Sequence, residues 1–334
     1  MDVFSLSALP PNPRILVIRL SAMGDLVFAL PAVKALKEAR PDATIDWLVE
    51  DKHAALLKSC PFIDDVVIYP RSTLSALSLF RHLKKLRARG SYNLIFDFQS
   101  NSKSAMQLLA LKSNHKFGFA RGISKEGAHL FHHHHVTVAA RLHRATRDAE
   151  LVRATAGDIV IPKKVRWPVA AKVKGDGLTL LHTTTTNYGR DKDWGASNWI
   201  ELAKQLTELG HRVALLHTPA DLEYVQKIAD AARVNLAPAT PSLEHLIALL
   251  DQSKLLISTD SGPAHITALR GNKVLCLFGA TDPVIYSPPG DSTKVKVIYG
   301  AEKNIAPPKR VRDRQSPLMA KISVADVLRL TSLD

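Results

Sequence analysis

The chain has 334 residues and is 46% hydrophobic, enough for buried cores in two domains of ordinary size and too apolar for gross disorder. No apolar run approaches the roughly 18 residues that cross a bilayer, and the start, MDVFSLSALPPNPR, lacks the basic beginning and long apolar centre of a signal peptide. Lys and Arg outnumber Asp and Glu by 45 to 31, a formal +14 that suits an anionic partner such as nucleic acid, a phosphorylated lipid surface or an acidic sugar polymer.

After a loose lead-in, RILVIRL (14–20) reads as a buried strand. PAVKALKEARP has helical spacing, with Pro31 in its first turn. TIDWLVE (44–50) alternates like a strand, and DDVVIYP (64–70) is another, ended by Pro70. LSALSLFRHLKKLRARG (74–90) is an amphipathic helix stopped by Gly90, and NLIFDFQ (93–99) returns to strand. The Pro-containing stretch 161–177 has little periodicity and reads as a linker. The pattern then restarts: strands at 178–184, 211–217, 254–259 and 273–279 alternate with helices. Two α/β halves follow, 1–165 and 166–334, with a return of the C-terminal segment onto the first half left open. Ligands of such sheets bind beyond the carboxyl ends of the strands.

The charge is uneven. Residues 1–170 hold 25 basic and 14 acidic residues, and from Arg71 to Lys125 there are eleven Lys or Arg against one acid, Asp97. A solubilising surface is the plain alternative to an anion-steering field. Only Cys60 and Cys276 occur, far apart, so neither a disulfide framework nor a cysteine-rich metal site is expected, and the cytoplasm is the expected compartment.

Four stretches carry candidate chemistry. In LSAMGDLVFALP (20–31), Asp25 follows the first strand; it suits a general base, or a helix N-cap. In HTTTTNYGRDKDWGASNW (182–199), Thr hydroxyls and Lys192 suit a phosphate clamp, or a solvated loop with Ser197 as a cap; its Asp-Lys-Asp is a poor metal motif, since the Lys competes with a cation. In STDSGPAHITAL (258–269), Gly262 and a helix N-terminus near Pro263 could hold a diphosphate, with Ser261 and His265 adding donors, or simply turn a corner. FHHHHVTV (131–138) invites a metal reading, but alternate strand residues point apart, which favours a surface or acceptor-site role for His132–His135.

Taken in order, S-x-M-G-D (21–25), D-K-x-W (191–194), T-D-S-G-x-x-H (259–265) and FGATDP (278–283) resemble the lipopolysaccharide heptosyltransferases of glycosyltransferase family 9. The resemblance runs from about residue 14 to 290, and the S-x-M-G-D form looks most like the first heptosyltransferase, which acts on Kdo. It implies a GT-B fold: two Rossmann-like domains facing each other across a cleft, the first for acceptor and the second for nucleotide sugar. The implied donor is ADP-L-glycero-D-manno-heptose, with no cofactor and no metal. Asp25 takes the place of the catalytic base. Thr184, Thr185, Lys192, Asp221, Asp260, Ser261, Gly262 and His265 fall at donor-binding positions. Asp221 is the weaker match, since Glu223 is near and His217 stands where a glycine is common.

The acceptor implied is the lipid-linked, anionic inner core. Arg71, Arg81, Lys84, Lys85, Arg121, Arg141 and Arg144 are the candidates to steer it and to seat the chain on the cytoplasmic face of the inner membrane. The reaction would be one inverting displacement, with Lys192 and the helix N-terminus stabilising the departing diphosphate. Rival readings are a heptosyltransferase II or III type with another acceptor or donor, and a nucleotide-sugar epimerase of similar architecture. A nucleic-acid binder is suggested only by the net charge, without a recognisable motif.

Overall fold

The computed structural model describes residues 4–184, 189–302, 305–310 and 312–331. The chain divides into two compact units, Met1–Pro168 and Val169–Asp334. The break falls within the aperiodic stretch 161–177, where Val165 and Trp167 are nonetheless buried.

The first unit runs β1 (Arg14–Ile18), α1 (Met23–Ala39), β2 (Thr44–Glu50), β3 (Asp65–Tyr69), α2 (Ala76–Ala88), β4 (Leu94–Asp97), α3 (Ser102–Ala110), β5 (Lys116–Phe119), β6 (His134–Val136) and α4 (Arg144–Ala156). Its six strands are parallel, in the order β3-β2-β1-β4-β5-β6. Helices α1 and α4 pack together, as do α2 and α3. Parallel strands covered on both faces are apolar throughout rather than alternating. That corrects the expectation for 44–50: β2 is buried from Ile45 to Glu50. It also corrects Pro31. α1 begins eight residues earlier, at Met23, because its whole first half, Leu26 to Val33, is buried; Pro31 therefore sits mid-helix and removes one N–H donor.

The second unit runs β7 (Leu178–His182), α5 (Ala196–Glu208), β8 (Arg212–Leu215), α6 (Leu222–Ala232), β9 (Asn235–Leu236), α7 (Leu243–Gln252), β10 (Leu255–Thr259), α8 (Gly262–Leu269), β11 (Val274–Phe278), α9 (Pro283–Tyr286), β12 (Val295–Tyr299) and α10 (Val324–Thr331). Its sheet, β12-β11-β10-β7-β8-β9, is also parallel and repeats the first unit's order read from the other edge. The C-terminal α10 packs on α5, β11 and β12 of this same unit. Trp194 and Trp199 meet edge to face at 4.9 Å in its core, with Leu202, Val225, Ile257 and Val327. Ser197 is not the cap expected: α5 starts one residue before it, behind Gly195, whose φ of 94° needs glycine.

In each unit the chain builds three strands outward, then crosses back to pair its fourth beside its first. The switch points are β1/β4 and β7/β10. Loops leaving those strand ends diverge to opposite faces, which opens a crevice at the carboxyl edge. Asp25 and Asp260 both follow such strands.

Candidate active site

At the first switch point, Asp25 is the third residue of α1 rather than its N-cap. Its Oδ2 accepts the Ala22 N–H at 3.3 Å, so it does serve the helix end. Its Oδ1 lies 2.8 Å from Arg19 Nη2 and 4.0 Å from Arg144 Nε. The Asp25 side chain is 29% exposed, open to an incoming hydroxyl, whereas Arg19 is buried. Arg19 is fixed from the neighbouring strand: its guanidinium donates to the Phe98 carbonyl, and its own carbonyl accepts Trp47 Nε1–H at 3.1 Å. Gln99 holds the loop before Asp25. Its Oε1 accepts the Leu20 and Ser21 amides at 3.1 and 3.2 Å, bridging β4 to β1 across the switch point. Behind α1, the buried Asp148 of α4 has its carboxyl pushed up to about 7 by burial, which outweighs the opposing charges of Arg19 and Arg144.

At the second switch point, Asp260 is the hub. Lys192 Nζ donates to its Oδ2 at 2.6 Å and to its carbonyl at 3.0 Å. Thr281 Oγ1 donates to Oδ2 at 2.9 Å, and His265 Nε2 meets Oδ1 at 2.9 Å. Burial opposes ionisation here, but Lys192 and His265 outweigh it and hold the Asp260 carboxyl well below the usual range. Ser261 caps α8, accepting from Ala264 N, and joins Ser258 Oγ at 2.8 Å, which meets His182 Nδ1 at 3.1 Å. Burial pushes His182 down to about 4, so it is neutral at pH 7. Gly262 opens the helix, and Pro263 beside it offers no N–H to an anion.

Lys192 is held in place from the other side of its loop. Trp194 buries its ring and donates to Ile322 O at 2.9 Å, while Asp191 is gripped by Arg310, with Nη2 to Oδ1 at 2.7 Å. Asp193 instead accepts the Gly195 amide at 2.9 Å. The two carboxylates of Asp-Lys-Asp therefore turn to different partners. Thr184 Oγ1 donates to Asp221 Oδ2 at 2.7 Å, and Asp221 Oδ1 accepts from Thr218 Oγ1 at 2.9 Å, just before α6. Thr185 lies outside the described residues.

The histidine run also separates. His132 is buried, with Nε2 2.9 Å from Asp97 Oδ2, which corrects the surface expectation for it. His133 Nδ1–H donates to Asn114 O, His134 stacks on Phe117 at 4.2 Å, and His135 Nε2–H donates to His129 O. Among the described residues, no three His, Cys, Asp or Glu side chains gather as a metal site.

Of the seven expected acceptor residues, Arg144 approaches Asp25, with its Nε 4.0 Å from Oδ1. Arg71, Arg121 and Arg141 are exposed on loops. Arg81, Lys84 and Lys85 lie on the outer face of α2. That helix ends at Arg89, which pairs with Asp46 of β2 and Asp65 of β3 near the amino ends of their strands. Lys84 and Lys85 are thus toward the opposite edge of the sheet from Asp25. Sequence reasoning missed Arg19, Gln99, His182, Thr281 and Arg310. A cation inside the apolar run RILVIRL was the available signal for Arg19.

A family model described as glycosyltransferase family 9 (heptosyltransferase) matches residues 79–315. The lipopolysaccharide core heptosyltransferase OpsX of Haemophilus influenzae is 27% identical over 318 residues, covering 87% of each chain. Lipopolysaccharide heptosyltransferase 1 of Escherichia coli is 28% identical over 293 residues, 81% of this chain and 89% of that one. Among solved structures, E. coli heptosyltransferase WaaC with ADP superposes with a TM-score of 0.75 at 23% identity, covering 95% of this chain and 98% of that one. The E. coli ADP-heptose lipopolysaccharide heptosyltransferase II gives 0.73 at 20% identity, over 96% and 98%. The fold is GT-B, built from two Rossmann-like units. With the family model spanning most of the chain and the switch-point residues in place, the chain belongs to glycosyltransferase family 9, the heptosyltransferases.

Proposed function

We propose that this enzyme transfers L-glycero-D-manno-heptose from ADP-heptose to the Kdo region of the lipopolysaccharide inner core, with inversion and without a metal. One observation carries the reading. Matching switch points hold complementary chemistry: a partly exposed carboxylate oriented by buried Arg19 in the first unit, and a Lys192–Asp260–His265 cluster in the second. The relatives named heptosyltransferase 1 support the choice of acceptor.

Asp25 removes the proton of the acceptor hydroxyl as its oxygen attacks the anomeric carbon, which passes through oxocarbenium character. Arg19 pairs with the carboxylate and fixes its orientation. The C–O bond to the diphosphate breaks, and negative charge collects on the leaving group. Lys192 has three N–H donors, of which Asp260 takes two, leaving one for a phosphate oxygen. The N-terminus of α8 at Gly262 adds its dipole. Asp221 and Thr184 suit the ribose, and Arg144 suits an acidic sugar beside Asp25. The basic first unit would seat the protein on the cytoplasmic face of the inner membrane, where the lipid-linked acceptor lies. Within the described residues no helix is long and apolar enough to cross that membrane.

The test is transfer from ADP-heptose to Kdo-lipid A in the presence of chelator, read by mass spectrometry. A heptosylated product is expected. ADP-heptose binding without product would move the acceptor to a heptosylated core. A sugar converted with no acceptor present would favour an epimerase. Asp25→Ala should abolish transfer and leave ADP-heptose affinity within about twofold; lost affinity with residual turnover would make Asp25 a helix-end residue only.

A further inference from the structure

Helix α2 has two unlike faces. Inward go Leu79, Leu83 and Leu86, with the apolar side chains of β2, β3 and β4 and Leu108 and Leu111. His82 joins them and meets Gln107 of α3 at 2.8 Å. Outward runs a single stripe: Leu77, Phe80, Arg81, Lys84 and Arg87, spaced three and four apart. Leu77 is 56% and Phe80 66% exposed. The helix contains no acid, and Arg81, Lys84, Lys85 and Arg87 make no ion pair among the described residues. Next along the same packed series, Leu109 of α3 is 68% exposed, and Leu130 of the short 3-10 helix Ala128–Phe131 is 76% exposed. Single exposed apolar residues are ordinary. Four on consecutively packed elements, three of them inside the most cationic stretch of the chain, are not.

We propose that this face inserts into anionic lipid, with Leu77 and Phe80 at the headgroup–acyl boundary and Arg81, Lys84, Lys85 and Arg87 against lipid phosphates. Charge decides the occupant. A second copy docked face to face would set this cationic stripe against itself. Nucleic acid would satisfy the cations but leave the two apolar side chains in contact with a charged backbone. A bilayer rich in anionic headgroups meets both parts of the stripe. The proposal names the element that makes the membrane contact in the function given above, but its main readout needs neither donor nor acceptor.

The full chain is sedimented with vesicles of phosphatidylethanolamine and phosphatidylglycerol, and with vesicles of phosphatidylcholine alone. Binding to the anionic vesicles and not the neutral ones is expected. L77S/F80S should weaken it about tenfold, since two apolar side chains leave the interface. R81Q/K84Q/K85Q should weaken it about 100-fold. L77S/F80S should keep the parent's melting temperature and ADP-heptose affinity, because both side chains are exposed. Its kcat on a Kdo acceptor lacking lipid chains should match the parent, while transfer to the same sugar embedded in vesicles falls. Equal binding to phosphatidylcholine, or unchanged vesicle binding by L77S/F80S, would overturn the proposal. So would a parent dimer, seen by ultracentrifugation, that L77S/F80S dissolves. Vesicle binding that behaves as expected while transfer fails everywhere would count against the donor or acceptor, not against this surface.

Discussion

Gln99 shows what a single side chain does for a loop it does not belong to. Its Oε1 is the acceptor for two successive amides, Leu20 and Ser21, that lead directly into Asp25. Gln99→Leu leaves both amides unpaired and frees the loop, so kcat should fall about 10- to 100-fold while ADP-heptose affinity holds. Gln99→Glu keeps the accepting oxygen and should recover much of the loss; equal damage from both would make the role one of packing. Asp148 gives a pH-dependent case. Its carboxyl is raised from 3.8 to about 7 by burial, against the pull of Arg19 and Arg144. The folded state then binds the proton more tightly than the unfolded state. The stability this contributes is whole below about pH 4 and is lost as pH rises toward 7, by up to about 4 kcal/mol. Asp148→Asn carries no such loss. Its melting temperature relative to the parent should climb between pH 5 and 7.5, and a flat difference would show that the buried charge is already compensated. Asp25, Lys192, Asp260 and His265 were legible because each sits in a local motif. Arg19, Gln99 and Thr281 were not, because their partners come from neighbouring strands, and pairing is a tertiary fact.

At the scale of elements, the strands were legible as apolar runs bounded by turn residues, and the helices by their spacing. What failed was inference about faces and ends. β2 is covered on both sides, so an apparent alternation in TIDWLVE carried no exposure signal; Asp46 and Glu50 are buried in ion pairs with Arg14, Arg89 and Lys103. Strand β6 is three residues long, too short for periodicity to announce it among the histidines. Its approach to β5 nevertheless depends on one small residue. A Cβ at Gly118 would lie 2.0 Å from the His132 ring, which is pinned to Asp97, itself accepting Ser104 Oγ–H at 2.8 Å. Gly118→Ala must therefore displace the imidazole from a fully buried carboxylate. A loss of about 1–3 kcal/mol is expected on thermal or urea unfolding. Gly122→Ala is a contrasting case, costly through its φ of 96° alone, because its added Cβ meets no neighbour within 4 Å. If Gly118→Ala unfolds like the parent, the imidazole has room to move and the Asp97 pair is not what sets β6 against β5.

At the scale of the molecule, the duplication of strand order gives two equivalent crevices, and the charge distinguishes them. The first unit holds 25 basic and 14 acidic residues, while the rest of the chain is nearly balanced at 20 and 17. An even spread would argue for solubility alone; the concentration in one unit argues for a field that gathers an anion. The sheet divides the labour further. Arg144 stands beside Asp25 at the carboxyl edge, but Lys84 and Lys85 run toward the amino edge, too far around the sheet to hold the reacting sugar. They then act on the anionic surface that carries the acceptor rather than on the sugar, and such attraction is screened over about 10 Å at 0.1 M salt. Neutralising Arg81, Lys84 and Lys85 together should raise KM for a lipid-linked acceptor and flatten its dependence on ionic strength, with kcat and ADP-heptose affinity unchanged. Contact with the acceptor sugar would instead lower kcat at every salt concentration. An unchanged KM with an unchanged salt slope would return these three residues to the solvated surface, and would leave Arg144 and the exposed loop arginines Arg71, Arg121 and Arg141 to gather the acceptor.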